Sequence, residues 1–370
     1  MKSEILGRHL DKEGEFEMNQ LKVAVIGCGN VSKVHFPAAA SSPAAELIAV
    51  CDIKPERAEA KGKEYGVPAY TNYEEVLDLQ PDIIHVCTPH NTHAEITIAA
   101  AERGINVLTE KPMAVSLHDA DRMIKAAQDN NIKLGVIFQN RYNASSIAVR
   151  NAVRSGELGK IRGCRMFVTW YRPDEYYSRS DWKGTWDKEG GGVLIDQAIH
   201  TIDLMQWIMG DIELLEASID NRTHDLIDVE DVAEATIFFK NGAVGSLYAC
   251  NYYTYDADVF LEIHGEKGIA RMEKDNAIIR IHDKHEMRVY PEGDHEVIGK
   301  SYWGVNHKVQ IDKFYTDVLE DRPVEIDGFE GRKALEIVRA IYYSGSNGTA
   351  RVRFPFNEPL GFTPPSLTKR

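Results

Sequence analysis

The 370 residues are 43% apolar and carry a formal charge of −14, with 57 acidic side chains against 43 Lys and Arg. Such a length exceeds one ordinary core and predicts two domains. The acidic balance argues against a nucleic acid or an anionic membrane as partner, because phosphate binding rests on clustered Lys and Arg; a small polar or neutral ligand fits better.

Five cysteines (Cys28, Cys51, Cys87, Cys164, Cys250) are odd in number, far apart and form no C-x-x-C pair. They predict neither a disulfide framework nor a zinc site, and a reducing cytoplasm is the expected compartment. Residues 1–20 mix charges without an apolar segment, so they read as a loosely docked tail rather than a signal peptide or membrane span, with Met18 as an alternative start.

Leu21 to Ile26 is a β-branched run that stops at Gly27-Cys28-Gly29-Asn30-Val31-Ser32, ahead of a stretch of helical composition. In this dinucleotide fingerprint Gly27 permits the tight turn and Gly29 lets the backbone approach a pyrophosphate. The helix start at Asn30 and Val31 offers free N–H groups to that anion. Ser32 replaces the third glycine and is small enough to keep helix on strand. The next strand, Leu47 to Cys51, ends in Asp52, at the spacing of the acidic residue that binds the adenosine ribose. Asp52 argues for NAD, and Lys54 and Arg57 keep NADP open; the other reading of Asp52 is a cap or turn residue.

Two further strands end at Cys87 and Thr109. The loop Thr88-Pro89-His90-Asn91-Thr92-His93 is expected along the cofactor, Thr88 and Pro89 shaping the backbone. His93 either faces the site or lies on the surface of a first helical turn. Lys111 falls just past a strand's carboxyl end, where open α/β sheets bind ligands, and Pro112 biases it to an extended conformation; the alternative is a solvated loop lysine. Glu110 pairs with Lys111, contacts the ribose or caps the loop. Ser116 to Asp119 resembles a capping box, and Ile132 to Phe138 is another strand. Gln139-Asn140-Arg141-Tyr142 lies at the same edge, making Asn140 and Arg141 candidates for substrate hydroxyls or for the domain junction.

Beyond Tyr142 the alternation of strand and helix gives way to period-two runs, namely 161–170, 232–240, 243–251 and 258–264, with a hairpin signal at Asn241-Gly242. The predicted fold is α/β: an N-terminal Rossmann domain (21–142), then an α+β domain with a large open, mostly antiparallel sheet (143–356), and a tail (357–370). The segment from Gly190 to Trp207 reads as a helix placing Asp196, His200, Asp203 and Trp207 on one stripe. Two carboxylates bracketing an imidazole would raise the basicity of His200, as a general base requires. No third metal ligand stands out, so no metal is expected. Aromatic clusters (Trp170-Tyr171-Arg172, Tyr176-Tyr177, Trp182 to Trp186, Tyr252-Tyr253, Tyr302-Trp303) suit a pyranose or cyclitol, and are otherwise core or interface residues. Residues 307–319 and 329–343 are amphipathic helices.

These pieces together resemble the Gfo/Idh/MocA family, named after glucose-fructose oxidoreductase and inositol dehydrogenase. The likeness rests on the glycine loop, the Thr88-Pro89 strand end, Glu110-Lys111-Pro112, Gly191-Gly192 leading to Asp196 and His200, and Gly331 to Leu335. It implies hydride transfer between a sugar or cyclitol carbinol and NAD, with NADP possible, in dimers or tetramers built through the second sheet. The family's catalytic lysine maps to Lys111, its acidic helix residue to Asp196 and its base to His200. The Tyr171-Arg172, Gln139 to Tyr142 and Asp196-Gln197-x-x-His200 wording looks like members acting on pyranosides or sugar acids at C3, with Trp182, Asn140 and Gln197 beside the substrate. The rival expectations are an enzyme returning the hydride to its own substrate, as in an NAD-retaining glycosidase or epimerase, and a non-catalytic sugar or NAD sensor on the same scaffold.

Overall fold

The computed structural model describes residues 20–282, 286–291 and 306–369; the tail 1–19 and Tyr302-Trp303 lie outside them. A six-stranded sheet comes first, built from β1 (Leu21–Ile26), β2 (Ala45–Cys51), β3 (Ala69–Tyr70), β4 (Ile83–Val86), β5 (Asn106–Thr109) and β6 (Leu134–Val136). Its order is β3-β2-β1-β4-β5-β6, and every pairing is parallel. Strands covered on both faces carry apolar side chains at nearly every position, which is why β1 and β4 read as continuous runs. The strand order reverses between β1 and β4, and the crevice at such a reversal is where ligands bind.

A second sheet of nine strands comprises β7 (Ile161–Thr169), β8 (Ile212–Asp220), β9 (Val232–Phe239), β10 (Val244–Cys250), β11 (Phe260–Gly265), β12 (Gly268–Glu273), β13 (Asn276–Ile281), β14 (Glu286–Val289) and β15 (Val352–Arg353). Its order is β14-β13-β12-β11-β7-β10-β9-β8-β15, antiparallel except where β7 meets β10. The β9–β10 hairpin turns at Asn241-Gly242, where Gly242 has φ +86°. One face is sealed by the helices Ile199–Met209 and Gly328–Ser346 over Met166, Leu215, Ile237 and Leu247; the other exposes Phe167 and Val244.

The helix His307–Leu319 does not stay with the second sheet. Ile311, Phe314 and Tyr315 pack with Leu21, Val23, Ile83 and Leu108. At Gly135 of β6 a Cβ would come within 2.8 Å of the Phe314 ring, so the close approach requires glycine there. The division at 142/143 therefore misses a helix that returns to cover the first sheet.

Candidate active site

A cleft of about 800 Å³ runs along the carboxyl edge of the first sheet and is walled on its far side by Tyr176, Trp182, Lys183 and the Asp196–Thr201 segment. Its volume is within the range of small-molecule sites. Gly27, with φ +100°, forms the turn after β1, and a Cβ there would lie 2.5 Å from the Cys87 carbonyl carbon. Gly29 borders the cleft, and a Cβ on it would meet nothing within 4 Å. The loop thus presents bare backbone ahead of the helix Ser32–Ser41, the arrangement a pyrophosphate requires. Ser32 is buried and donates its hydroxyl to the Gly29 carbonyl at 2.7 Å, which tightens the same turn.

Asp52 combines both of its sequence readings. Its carboxylate accepts the N–H groups of Cys28 and Lys54, each at 2.8 Å, bracing the loop while it borders the cleft beside Lys54 and Arg57. Asn30, Val31, Thr88 and Pro89 also border the cleft. These residues fit a nicotinamide dinucleotide: the bare loop would take the pyrophosphate and Asp52 the adenosine ribose. His93 borders the cleft and is not a surface residue. Its ring is fully buried, with Nδ1 2.8 Å from the Pro112 carbonyl and Nε2 2.9 Å from that of Thr88, so it ties the two loops together.

Lys111 reaches across the cleft, which makes it more than a solvated loop residue. Its ammonium donates to the backbone carbonyl of Asp196 at 2.9 Å and lies 3.6 Å from that side chain. The Lys111-Pro112 bond is cis. Asp196 Oδ2 accepts from Lys183 Nζ at 2.7 Å, the Tyr176 hydroxyl at 2.5 Å and Gln197 Nε2 at 2.8 Å. Burial alone would raise its pKa, but the Lys183 and Lys111 ammoniums, with His90, hold it well below the usual carboxylate range. Lys183 also pairs with the buried Glu189 at 3.1 Å.

The predicted bracket of two carboxylates around His200 does not form. Residues Leu194–Ala198 make one π-turn, and the α-helix begins only at Ile199. Asp196 and His200 still border the same cleft, but the Asp196 carboxylate is taken by Lys183, Tyr176 and Gln197. Asp203 faces the other way, paired with Arg141. His200 borders the cleft with its ring edge-on to Phe138, and its buried Nδ1 has no hydrogen-bond partner among the described residues. Burial and then the Lys111 ammonium push its pKa down to about 3, opposite to the expected rise in basicity. His200 is a neutral imidazole at physiological pH.

Three expected substrate contacts lie elsewhere. Arg141 donates to both Asp203 oxygens, at 2.9 and 2.6 Å, and to Glu330 at 2.8 Å, so its guanidinium is fully engaged in the domain junction. Arg172 is buried and paired with Asp256 at 2.9 Å, and Tyr171 is 46% exposed; both line a shallow depression beside the cleft. Asn140, Trp182 and Gln197 do border the cleft. Sequence reasoning passed over His90, Lys183, Glu189 and His307. The bracketing of Lys183 by Trp182 and Trp186 was a legible sign; the others gave none. Among the described residues no cluster of three His, Cys, Asp or Glu side chains has a metal-holding arrangement, and no helix is long and apolar enough to cross a membrane.

A parallel sheet whose glycine loop opens on a cleft holding a lysine, a carboxylate and a neutral imidazole defines an NAD-binding oxidoreductase. The chain belongs to the Gfo/Idh/MocA family: residues 21–138 match its oxidoreductase NAD-binding Rossmann fold and residues 147–271 its C-terminal domain. It is 27% identical over 331 residues to a myo-inositol 2-dehydrogenase of Thermotoga maritima, covering 85% of this chain and 93% of that one. It is 33% identical over 195 residues to a D-glucoside 3-dehydrogenase of Escherichia coli, covering 51% and 54%. The WlbA dehydrogenase of Chromobacterium violaceum, solved with NADH and UDP-GlcNAcA, superposes with a TM-score of 0.82 at 30% identity, over 96% of this chain and all of that one. The protein is accordingly an NAD-dependent dehydrogenase of the sugar and cyclitol class.

Proposed function

We propose that the enzyme oxidises a secondary hydroxyl of a pyranoside or sugar acid, favouring C3, and passes the hydride to NAD. The observation that carries this reading is the meeting of Lys111, Asp196 and His200, from two domains, in the cleft onto which the glycine loop opens. NAD supplies the hydride acceptor. His200, a neutral imidazole bordering the cleft, takes the hydroxyl proton, and the Lys111 ammonium donates a hydrogen bond to the oxygen as negative charge develops there. Asp196 carries no proton in this scheme; it holds Lys111, Lys183 and Gln197 in register around the substrate. Trp182 offers a flat apolar face to a pyranose.

The C3 preference is supported by the likeness to the D-glucoside 3-dehydrogenase rather than by Tyr171 and Arg172, which face away from the cleft. Assembly as a dimer or tetramer would use the open face of the second sheet, where Phe167 and Val244 are exposed. A nicotinamide-absorbance screen of polyols, pyranosides and uronates with NAD and with NADP tests the reading. Turnover of a pyranoside to its 3-keto product is expected; exclusive oxidation of a cyclitol would contradict it.

A further inference from the structure

Behind Lys111 the cleft wall continues into a buried line of hydrogen bonds that the hydride-transfer scheme leaves unused. The Tyr315 hydroxyl lies 2.9 Å from His85 Nε2, His85 Nδ1 lies 3.0 Å from His35 Nδ1, and His35 Nε2 lies 2.9 Å from Glu110 Oε1. Tyr315, His85 and His35 are all 0% exposed. Donor and acceptor rules then fix the tautomers. An ionised carboxylate only accepts, so His35 carries its proton on Nε2. We assign His35 a single proton, an assignment that ¹⁵N shifts test: its Nδ1 then accepts, His85 donates from Nδ1, and His85 Nε2 is left to accept from Tyr315. Every donor in the line points towards Glu110, an alignment in which successive bonds polarise one another.

Glu110 is 4% exposed and borders the cleft. Its second oxygen accepts the Lys111 backbone N–H at 3.1 Å, and His307 Nε2 lies 3.7 Å from the first. The titratable groups facing it are His35, His85, His93, His200, His307, Lys111 and Cys87. Among the described residues its only ion-pair partners are imidazoles. Burial would raise its pKa, yet the His35 hydrogen bond, with His307 and Lys111, holds it down to about 2. The carboxylate is thus kept ionised by the His35 hydrogen bond and the neighbouring His307 and Lys111, and among the described residues no guanidinium or ammonium forms a salt bridge with it.

We propose that Glu110 is the standing countercharge of the reaction centre, held in place by the Tyr315–His85–His35 line. On the reading of this cleft as a hydride-transfer site, oxidation moves one positive charge from the nicotinamide ring to His200: the carbinol C–H pair goes to the ring as hydride and the O–H proton goes to the imidazole. A buried anion bordering the same cleft as His200 would favour the oxidised cofactor before the step and the imidazolium after it. Glu110 raises the proton affinity of His200 against the opposing Lys111 charge.

The test is the affinity of the full-length protein for NAD⁺ and for NADH, each without sugar, before and after Glu110→Gln. The amide keeps an acceptor for His35 and removes the charge. NAD⁺ binding is expected to weaken roughly tenfold and NADH binding by less than about twofold. Equal weakening of both, or loss confined to NADH, would overturn the proposal. Tyr315→Phe provides a second variant, altered only at the far end of the line, and should bias the ratio the same way by about twofold to threefold; an unchanged ratio there would sever the line from its role. Imidazole ¹⁵N shifts of the wild type should show His35 protonated at Nε2 and His85 at Nδ1, and the reverse tautomers would likewise sink the assignment. No sugar enters these measurements, so a wrong substrate class leaves them intact, whereas failure to bind either nucleotide would overturn both readings.

Discussion

His200 and Arg141 show how far single residues betray their work. A histidine four positions after an aspartate on an amphipathic segment is legible as chemistry, and His200 does border the cleft. Its electrostatics were not legible, because they depend on the Lys111 ammonium brought from another domain and on burial, which push its pKa down to about 3. Asn140 and Arg141 are adjacent in sequence; one borders the cleft and the other closes the junction through Asp203 and Glu330. The short 3₁₀ turn Gln139–Tyr142 decides between them, and no periodicity announces it. His200→Ala should lower kcat about 10²- to 10⁴-fold at pH 7, the usual worth of a positioned general base. Steady-state nicotinamide absorbance checks this, and near-normal turnover would remove His200 from the mechanism.

Regular elements were the more legible part. The buried strands of the first sheet, the Ser116 cap, whose hydroxyl accepts the Asp119 N–H at 3.1 Å, and the Asn241-Gly242 hairpin all follow from local chemistry. The π-turn Leu194–Ala198 did not, since a one-residue widening leaves the apolar pattern almost unchanged. β14 was missed because an edge strand with charged, half-exposed faces carries little alternation. The glycine loop yields a paired prediction. Gly27→Ala places a Cβ 2.5 Å from the Cys87 carbonyl carbon at a positive φ, and should cost about 1–3 kcal/mol in a denaturant titration. Gly29→Ala meets no protein atom within 4 Å and should fold with near-wild-type stability, yet weaken NAD binding at least roughly tenfold, because its methyl enters the space the pyrophosphate needs. Equal stability losses in the two variants would contradict this division.

On the scale of the whole molecule, the return of His307–Leu319 to the first sheet brings both Tyr315 and His307 to the back of the site. An amphipathic pattern tells that a helix packs, not on which of two sheets, so this link escaped sequence reasoning. It also bears on stability. His85, His90, His93, His200 and His307 all have lowered pKa values, burial being the first cause in each, with His200 at about 3 and His307 at about 4. Unfolded, they take up protons near about 6.5, so below that pH the unfolded chain binds more protons and stability falls as pH falls. Glu189, raised to about 8, and Glu230, raised to about 7, act oppositely, since they are protonated in the fold well above their unfolded range and favour it as pH drops. Five lowered imidazoles against these two carboxyls and the raised His224 leave a net loss on acidification. The melting temperature at pH 5.5 should lie several degrees, about 5 °C, below that at pH 7.5; a higher melting temperature at pH 5.5 would mean the imidazoles are not held neutral.

The proposed mechanism has Lys111 and His200, from separate domains, acting on one sugar hydroxyl beside NAD. It is tested most directly by Lys111→Met, assayed for NAD binding by calorimetry and for turnover with the sugar that the absorbance screen identifies. NAD affinity should stay within about threefold of wild type while kcat falls about 10²- to 10³-fold, because the lost ammonium faces the developing alkoxide rather than the nucleotide. Turnover that survives the substitution would contradict the account.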